Sequence, residues 1–164
     1  MTIKQQIITS IGVNVLQERI VNKTTEIADL LSEIKTQREG QSSDDDNPDI
    51  SIITARYEKA IQERNDLQNI LSNAVIIDVT KITDSKVVFG SVVTIEDLDT
   101  GAISTYRVVS PIESDIAKGR ISYESPVGKA MIGLAVGNSF EFGIRGNIKE
   151  YEIMKIEIEE INNI

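Results

Sequence analysis

Residues 87–110 read VVFGSVVTIEDLDTGAISTYRVVS, and this stretch decides the fold of the second half of the chain. Apolar and polar residues alternate in two runs, Lys86–Glu96 and Ile103–Ser110. Because side chains point alternately to the two faces of a strand, each run predicts a half-buried β-strand. Asp99-Thr100-Gly101 between them supplies turn-forming residues, so the stretch predicts a β-hairpin.

Three further runs support a sheet. They are GRISYES at 119–125, NSFEFGI at 138–144 and KEYEIMKIEIEEI at 149–161, and the last two frame a turn at Arg145-Gly146-Asn147. Pro126–Ile132 has a short helical pattern. We predict a small antiparallel sheet with one short helix, and we expect the aromatic residues to form its core rather than a stacking platform. These aromatics are Phe89, Tyr106, Tyr123, Phe140, Phe142 and Tyr151.

The first half of the chain, to about residue 74, has a helical period instead. Residues at alternating spacings of three and four form two seams, which predict two heptad-patterned helices. The seams are Val13, Leu16, Ile20, Lys23, Ile27, Leu30 and Ile34, and then Ile53, Tyr57, Ala60, Arg64, Leu67, Leu71 and Ala74. Gly40 is a plausible stop for the first helix, and Pro48 just precedes the second.

The two seams predict their own register. Pairing Ile34 with Ile53 gives position numbers that sum to 87. The same sum pairs Leu30 with Tyr57, Ile27 with Ala60, Ile20 with Leu67 and Leu16 with Leu71. It also brings the two basic interruptions, Lys23 and Arg64, to one level, where we expect the flanking Glu26 and Glu63 to neutralise both. We therefore predict an antiparallel helical hairpin, with about 30 residues, or roughly 45 Å of helix, from Val13 to its tip.

Composition excludes several functions. The 164 residues contain neither Cys nor His, which removes disulfides, thiolate metal sites and the usual general base. A net charge of −9 disfavours non-specific binding to nucleic acid. No window approaches the ~20 apolar residues of a membrane span, and the N-terminus does not resemble a signal peptide. We expect a cytoplasmic protein.

The predicted hairpin tip is acidic, because residues 41–49 read QSSDDDNPD. One interpretation is a solvated turn that caps the second helix. The other is that Asp44, Asp45, Asp46 and Asp49 offer hard oxygen ligands to Mg²⁺. Such a cluster would complete a metal site that a partner supplies.

The second half resembles the C-terminal domain of the GreA/GreB transcript-cleavage factors over about residues 74–157. The family motifs V-x-F-G, D-x-D-T-G, G-x-I-S-x-x-S-P and A-x-I-G-x-x-x-G occur here in order. They fall on Val87/Phe89/Gly90, Asp97/Asp99/Thr100/Gly101, Gly119/Ile121/Ser122/Ser125/Pro126 and Ala130/Ile132/Gly133/Gly137. LSNAVIID at 71–78 resembles the junction that follows the family's hairpin, and Asn138 stands where the family has Asp.

The resemblance implies an α+β protein of two domains. Residues 1–76 would form the coiled-coil hairpin, with its acidic tip near 43–49. Residues 79–161 would form an FKBP-like domain that docks on RNA polymerase at its secondary channel. The factor would be a monomer that meets DNA and RNA only within the elongation complex, with no membrane partner.

The resemblance also implies a role for the tip. The factor has no cofactor of its own, but Asp44 and Asp46 would help to hold a Mg²⁺ ion shared with the polymerase, with Asp45 and Asp49 as alternates. Backtracked RNA would then be cleaved by the polymerase, so the chain is an accessory factor and not itself an enzyme. The family's tip reads close to G-D-L-S-E-N-A-E-Y, and an ungapped match sets Ser43 against its Asp and Asp46 against its Glu.

Two other functions are open. A homologue with this Asp-rich tip could inhibit or regulate RNA polymerase by occupying the secondary channel without stimulating cleavage. A stand-alone prolyl isomerase would suit an FKBP-like fold, but that activity needs a Trp-floored pocket and the chain has no Trp.

Overall fold

The computed structural model describes residues 6–39, 48–81, 85–144 and 147–158. The chain forms two compact units. Residues Asn14–Asn73 make up one, and the described residues up to Val13 group with those from Ala74 onward in the other. The predicted domains 1–76 and 79–161 stay a prediction, because compactness does not show which segments fold independently.

The helical unit contains two long helices, α1 at Ser10–Glu39 and α2 at Pro48–Asn73. Pro48 is the first residue of α2, where its missing N–H costs no helical hydrogen bond. The predicted stop at Gly40 lies outside the described residues. Both predicted helices are therefore confirmed. Helix α1 extends beyond both ends of its seam, whereas α2 begins before Ile53 and ends one residue short of Ala74.

Short strands flank the helix pair in sequence. Strand β1, Ile7–Ile8, precedes α1, and β2, Val75–Ile76, follows α2. They pair in parallel, with Ile7 opposite Val75 and Ile8 opposite Ile76. This small sheet joins the chain just before the first helix to the chain just after the second.

A five-stranded sheet forms the body of the other unit, in the spatial order β5-β4-β3-β7-β6. Its short helix, α3, spans Pro126–Met131, close to the predicted Pro126–Ile132. The strands are β3 Val92–Asp97, β4 Ile103–Val109, β5 Arg120–Ser122, β6 Ser139–Ile144 and β7 Asn147–Glu157. The α+β fold class is confirmed.

One face of this sheet packs into a core with α3. Its buried residues include Val93 and Ile95 of β3, Ile153 of β7 and Met131 of α3. Five of the six aromatic residues pack here as predicted, and the sixth, Phe89, contacts Tyr123. Phe140 is buried and stacks on Tyr151 with ring centroids 5.6 Å apart, while Phe89 meets Tyr123 edge to face at 5.9 Å.

The strand predicted at Lys86–Glu96 was wrong at its N-terminal end, since β3 begins only at Val92. A turn interrupts the apolar alternation at Gly90, whose φ of 90° lies in the left-handed region. Glycine adopts this conformation without the steric cost that a Cβ imposes. Alternation alone could not distinguish this turn from a strand.

The sheet is mixed rather than wholly antiparallel, because β4 and β5 run parallel. Two short 3₁₀ helices, Pro111–Glu113 and Ile116–Lys118, lie between these strands. A connection of this length can return the chain to the starting end of β4, whereas a tight hairpin turn cannot. The turn predicted at 145–147 lies mostly outside the described residues, and Asn147 itself begins β7.

Candidate functional site

The three central acids of the predicted tip, Asp44, Asp45 and Asp46, lie outside the described residues. The fourth, Asp49, is exposed in the first turn of α2. A carboxylate in that position favours the helix, because the N-terminal end carries partial positive charge. Their predicted role as metal ligands stays a prediction.

The helix ends that flank residues 40–47 pack as the register predicts. Leu30, Ile34, Ile53 and Ala60 form one buried cluster, and Ile27 and Tyr57 pack against it. This cluster contains all three predicted pairs nearest the tip. Antiparallel pairing is thereby supported in this part of the hairpin, whereas the pairs Ile20–Leu67 and Leu16–Leu71 stay predictions.

A charged layer follows the apolar cluster. Lys23 Nζ lies 2.7 Å from Glu26 Oε2 on its own helix and 2.7 Å from Glu63 Oε2 on the other. These hydrogen bonds, first to Glu26 and then to Glu63, raise the pKa of Lys23. The hydrogen bond from Lys23 lowers the pKa of Glu63. The predicted contacts of Glu26 and Glu63 with Lys23 are confirmed.

Arg64 does not share that arrangement. Its Nη2 donates to Asn65 Oδ1 at 3.0 Å, and its Nε is buried without a hydrogen-bond partner among the described residues. Of these two cations, only Lys23 contacts the flanking glutamates in the described part of the chain, and Glu63 also lies 3.8 Å from Lys59. The expectation that Glu26 and Glu63 neutralise both cations was wrong for Arg64.

In the sheet unit, the D-x-D-T-G motif forms a turn. Asp97 Oδ1 accepts hydrogen bonds from the backbone N–H of Asp99 at 3.1 Å and of Thr100 at 3.0 Å. Lys149 Nζ contacts Asp97 Oδ2 at 2.5 Å, and this bond lowers the pKa of Asp97 and raises that of Lys149. Gly101 completes the turn with a φ of 70°. The motif thus has a structural role here.

The S-x-x-S-P motif caps α3. Ser125 Oγ accepts from the Gly128 N–H at 3.1 Å and donates to the Ser122 carbonyl at 2.6 Å. Pro126 follows at the start of the helix, where proline is well tolerated. At Gly128 a Cβ would lie 2.1 Å from the Ser122 carbonyl oxygen, so only glycine allows this close approach.

Sequence reasoning missed Glu113, a buried carboxylate with 1% exposure. Its Oε2 accepts from the Ser110 N–H at 3.1 Å and the Ser110 hydroxyl at 2.6 Å. Its Oε1 accepts from both the N–H and the hydroxyl of Thr9, 104 residues away. The Ser-x-x-Glu spacing of a capping box is visible in the sequence, but nothing local predicts Thr9.

Two features are absent from the described residues. No helix there is long and apolar enough to cross a membrane. No group of three or more Asp or Glu residues in those ranges could hold a metal ion. Any metal bound by this chain would therefore need ligands from residues 40–47, from the other undescribed positions or from a partner.

Comparison with known proteins identifies the class. The family model for the C-terminal region of transcription elongation factors GreA/GreB matches residues 82–158. Transcription elongation factor GreA of Mesorhizobium japonicum is 34% identical over 126 residues, which cover 76% of this chain and 80% of the relative. The chain belongs to the GreA/GreB family of transcription elongation factors.

Other similarities cover less of the chain or have a lower identity. GreA of Caulobacter vibrioides is 40% identical over 92 residues, 56% of this chain and 59% of that protein. The solved structure of GreA factor homolog 1 (Gfh1) of Thermus thermophilus covers 94% of this chain and 99% of its own, at 24% identity and a TM-score of 0.44.

Proposed function

We propose that the chain binds RNA polymerase through its secondary channel and stimulates cleavage of backtracked RNA. The observation that carries the proposal is the packing of Ile34 against Ile53 and Leu30 against Tyr57 in one antiparallel cluster. The segment that connects these helices at that end carries Asp44, Asp45 and Asp46. Family membership supplies the setting in transcription elongation.

The chain would contribute negatively charged side chains, carried by the two long helices. Asp44 and Asp46 would hold Mg²⁺ together with the polymerase, with Asp45 and Asp49 as alternates, because carboxylate oxygens are the ligands that Mg²⁺ prefers. When bound, Mg²⁺ lowers the pKa of a coordinated water and stabilises charge on phosphate oxygens.

The Lys23 layer would support this role from within the hairpin. Its contacts with Glu26 and Glu63 neutralise a cation in a seam whose other basic member is Arg64. The connection across the two helices opposes their separation behind the tip. A carboxylate must be held firmly to act at a reacting phosphate, because small misplacements reduce rates strongly.

In a second candidate function, the chain inhibits or regulates RNA polymerase by occupying the secondary channel and does not stimulate cleavage. The observation that favours it is the tip sequence, in which Ser43 stands where the family has Asp and three aspartates follow in a row. Such a tip would bring more negative charge to the catalytic metal than the family pattern does. Slower nucleotide addition would result.

The test uses elongation complexes halted on a labelled transcript with the polymerase of the same bacterium. The protein is added with Mg²⁺, and the RNA 3′ ends are followed over time. Shortened transcripts support stimulated cleavage. Slower nucleotide addition without shortening supports the regulatory alternative, and an absence of binding to the polymerase overturns both.

A further inference from the structure

The buried carboxylate of Glu113 lies at the start of helix α1, although the two are distant in sequence. Its Oε1 accepts hydrogen bonds from the N–H of Thr9 at 3.2 Å and from the Thr9 hydroxyl. Thr9 immediately precedes α1, and its hydroxyl oxygen also accepts from the Ile11 N–H at 3.2 Å, as the side chain before a helix commonly does. The same hydroxyl therefore caps the helix and contacts Glu113.

The first turn of α1 is suited to this carboxylate. Helix α1 has no acidic residue of its own there, and the first N–H groups of a helix carry partial positive charge that favours an anion. Gly12 leaves the necessary space, because a Cβ at this position would lie 2.9 Å from Glu113 Cδ and 2.8 Å from Ile8 Cβ. Glu113 therefore supplies from a distant segment the carboxylate that the sequence of α1 lacks.

Glu113 is itself held firmly at the end of β4. Its Oε2 accepts from the N–H of Ser110 at 3.1 Å and from the Ser110 hydroxyl at 2.6 Å, and Ser110 directly follows that strand. Thr9, Ser110 and Glu113 are each at most 1% exposed. Hydrogen bonds shielded from water are electrostatically stronger than exposed ones. Glu113 thus bridges the first turn of α1 to the chain that follows β4.

We propose that Glu113 is a positioning residue for stimulated RNA cleavage, because it holds the first turn of α1 in place. The inference rests on the proposed function. Helix α1 is continuous from Ser10 to Glu39, and the segment after it carries Asp44 and Asp46. A looser first turn would widen the range of positions that these carboxylates sample, and small misplacements at a reacting phosphate reduce rates strongly. Glu113 would act through α1, without contact with metal or RNA.

The test uses full-length variants that alter the bridge but nearly retain its shape. Glu113→Gln replaces one acceptor oxygen by an NH₂ group, which cannot accept from an N–H. Thr9→Val replaces the hydroxyl by a methyl group, and Thr9→Ser, which retains the hydroxyl, is its matched control. Ile153→Val removes one buried methylene from the sheet core and controls for lowered stability alone.

Each protein is titrated into halted elongation complexes with Mg²⁺, which gives the cleavage rate at saturation and the concentration for half-maximal rate. We expect saturated rates about tenfold lower for Glu113→Gln and Thr9→Val, with half-maximal concentrations within about twofold of wild type. Thr9→Ser and Ile153→Val should cleave within about twofold of wild type at saturation. A general loss of stability would not separate Thr9→Val from Ile153→Val in this way.

Hydrogen exchange of the free proteins tests the bridge without polymerase. In Glu113→Gln and Thr9→Val, the amides of residues 9–13 should exchange about tenfold faster, whereas those of β3 should keep the rates of wild type. If Glu113→Gln fails to fold, Thr9→Val with its Thr9→Ser control decides the question. Faster exchange confined to residues 9–13 supports a bridge that holds the first turn of α1.

Several results would overturn the inference. They are an unchanged saturated rate in Thr9→Val, a rise in the half-maximal concentration alone, exchange that increases equally in β3, and a Thr9→Ser protein as slow as Thr9→Val. Failure of wild type to shorten the RNA is a different outcome, because it refutes the proposed function and with it the cleavage role of Glu113. The exchange rates of residues 9–13 then still show whether the bridge holds α1, so the two failures are distinguishable.

Discussion

Lys23 Nζ lies 2.7 Å from Glu63 Oε2, and this contact joins the two long helices across their shared seam. The same ammonium lies 2.7 Å from Glu26 on its own helix. One cation therefore separates two carboxylates that would otherwise repel each other. Removing Lys23 alone should change the stability of the hairpin differently from removing Lys23 together with Glu63. This contact can therefore be tested by substitution.

We predict that Lys23→Met destabilises the hairpin more than Lys23→Met combined with Glu63→Met. The single change leaves Glu26 and Glu63 without their shared cation, whereas the double change also removes one of the two carboxylates. Urea unfolding followed by circular dichroism measures the difference, and Lys35→Met, at an exposed position of α1, serves as the control. Equal stability of the single and double variants would contradict this expectation.

The Glu113 carboxylate gives a second prediction. Glu113→Ala leaves the buried N–H groups and hydroxyls of Thr9 and Ser110 without their acceptor. A buried donor without a partner costs about 1–3 kcal/mol, so we expect a loss of at least about 3 kcal/mol in unfolding free energy. The Thr9 amide should also exchange faster with solvent deuterium.

The exposed Glu58 is the matched control, because Glu58→Ala removes the same side chain without leaving a buried donor of the described residues unpaired. Its unfolding free energy should stay within about 0.5 kcal/mol of the wild type. Unchanged protection of the Thr9 amide in Glu113→Ala would contradict the role assigned to this carboxylate.

Gly128 gives a third prediction, which is opposite to what helix propensity alone predicts. Alanine normally favours a helix over glycine by about 1 kcal/mol, yet here its Cβ would lie 2.1 Å from the Ser122 carbonyl oxygen. We expect Gly128→Ala to lower the unfolding free energy by about 1–3 kcal/mol, the usual cost of overpacking. Lys129→Ala on the same helix should change it little. A stabilised Gly128→Ala protein would mean that α3 can move away from β5.

The Asp97–Lys149 pair predicts a pH dependence. The pKa of Asp97 is lowered, chiefly by the Lys149 hydrogen bond, so its stabilisation is complete above the unfolded pKa of about 3.9. That stabilisation disappears as the pH falls through the lower folded pKa. The pKa of Lys149 is raised, so its contribution is complete below its ordinary value and disappears as the pH rises through the folded value.

We therefore expect wild type to exceed Asp97→Asn in stability at neutral pH, and the difference to shrink as the pH falls below 3.9. Urea midpoints of both proteins between neutral pH and about pH 2 measure this. A difference that stays constant over the acid range would show that the Asp97 charge does not stabilise the turn.

The hairpin was the part of the fold that the sequence predicted best, because a shared interruption at Lys23 and Arg64 defines its register. The sheet was predicted less well. Apolar alternation continues through the turn at Gly90, and it carries no information on strand direction, so the parallel pairing of β4 and β5 was missed. The Thr9–Glu113 contact spans 104 residues and has no local signal.

In the candidate site, too, some contacts were predicted from the sequence and others were not. Helix spacing predicted the contact of Lys23 with Glu26, because side chains three or four apart on a helix meet. The antiparallel register predicted the contact with Glu63, because it places Arg64, the neighbour of Glu63, at the level of Lys23. Spacing and register failed for Arg64, whose long side chain turns to its neighbour Asn65. The ligand roles of Asp44 and Asp46 depend on a partner's geometry, which no pattern within one chain encodes.

The most direct measurement of the central claim compares wild type with Asp44→Ala/Asp46→Ala on halted elongation complexes, with polymerase binding measured in parallel. We predict Mg²⁺-dependent shortening of the transcript by wild type. The variant should bind polymerase within about threefold of wild type and lose at least about 100-fold in cleavage rate. Equal cleavage by the two proteins, or a variant that no longer binds, would contradict the role of the tip carboxylates.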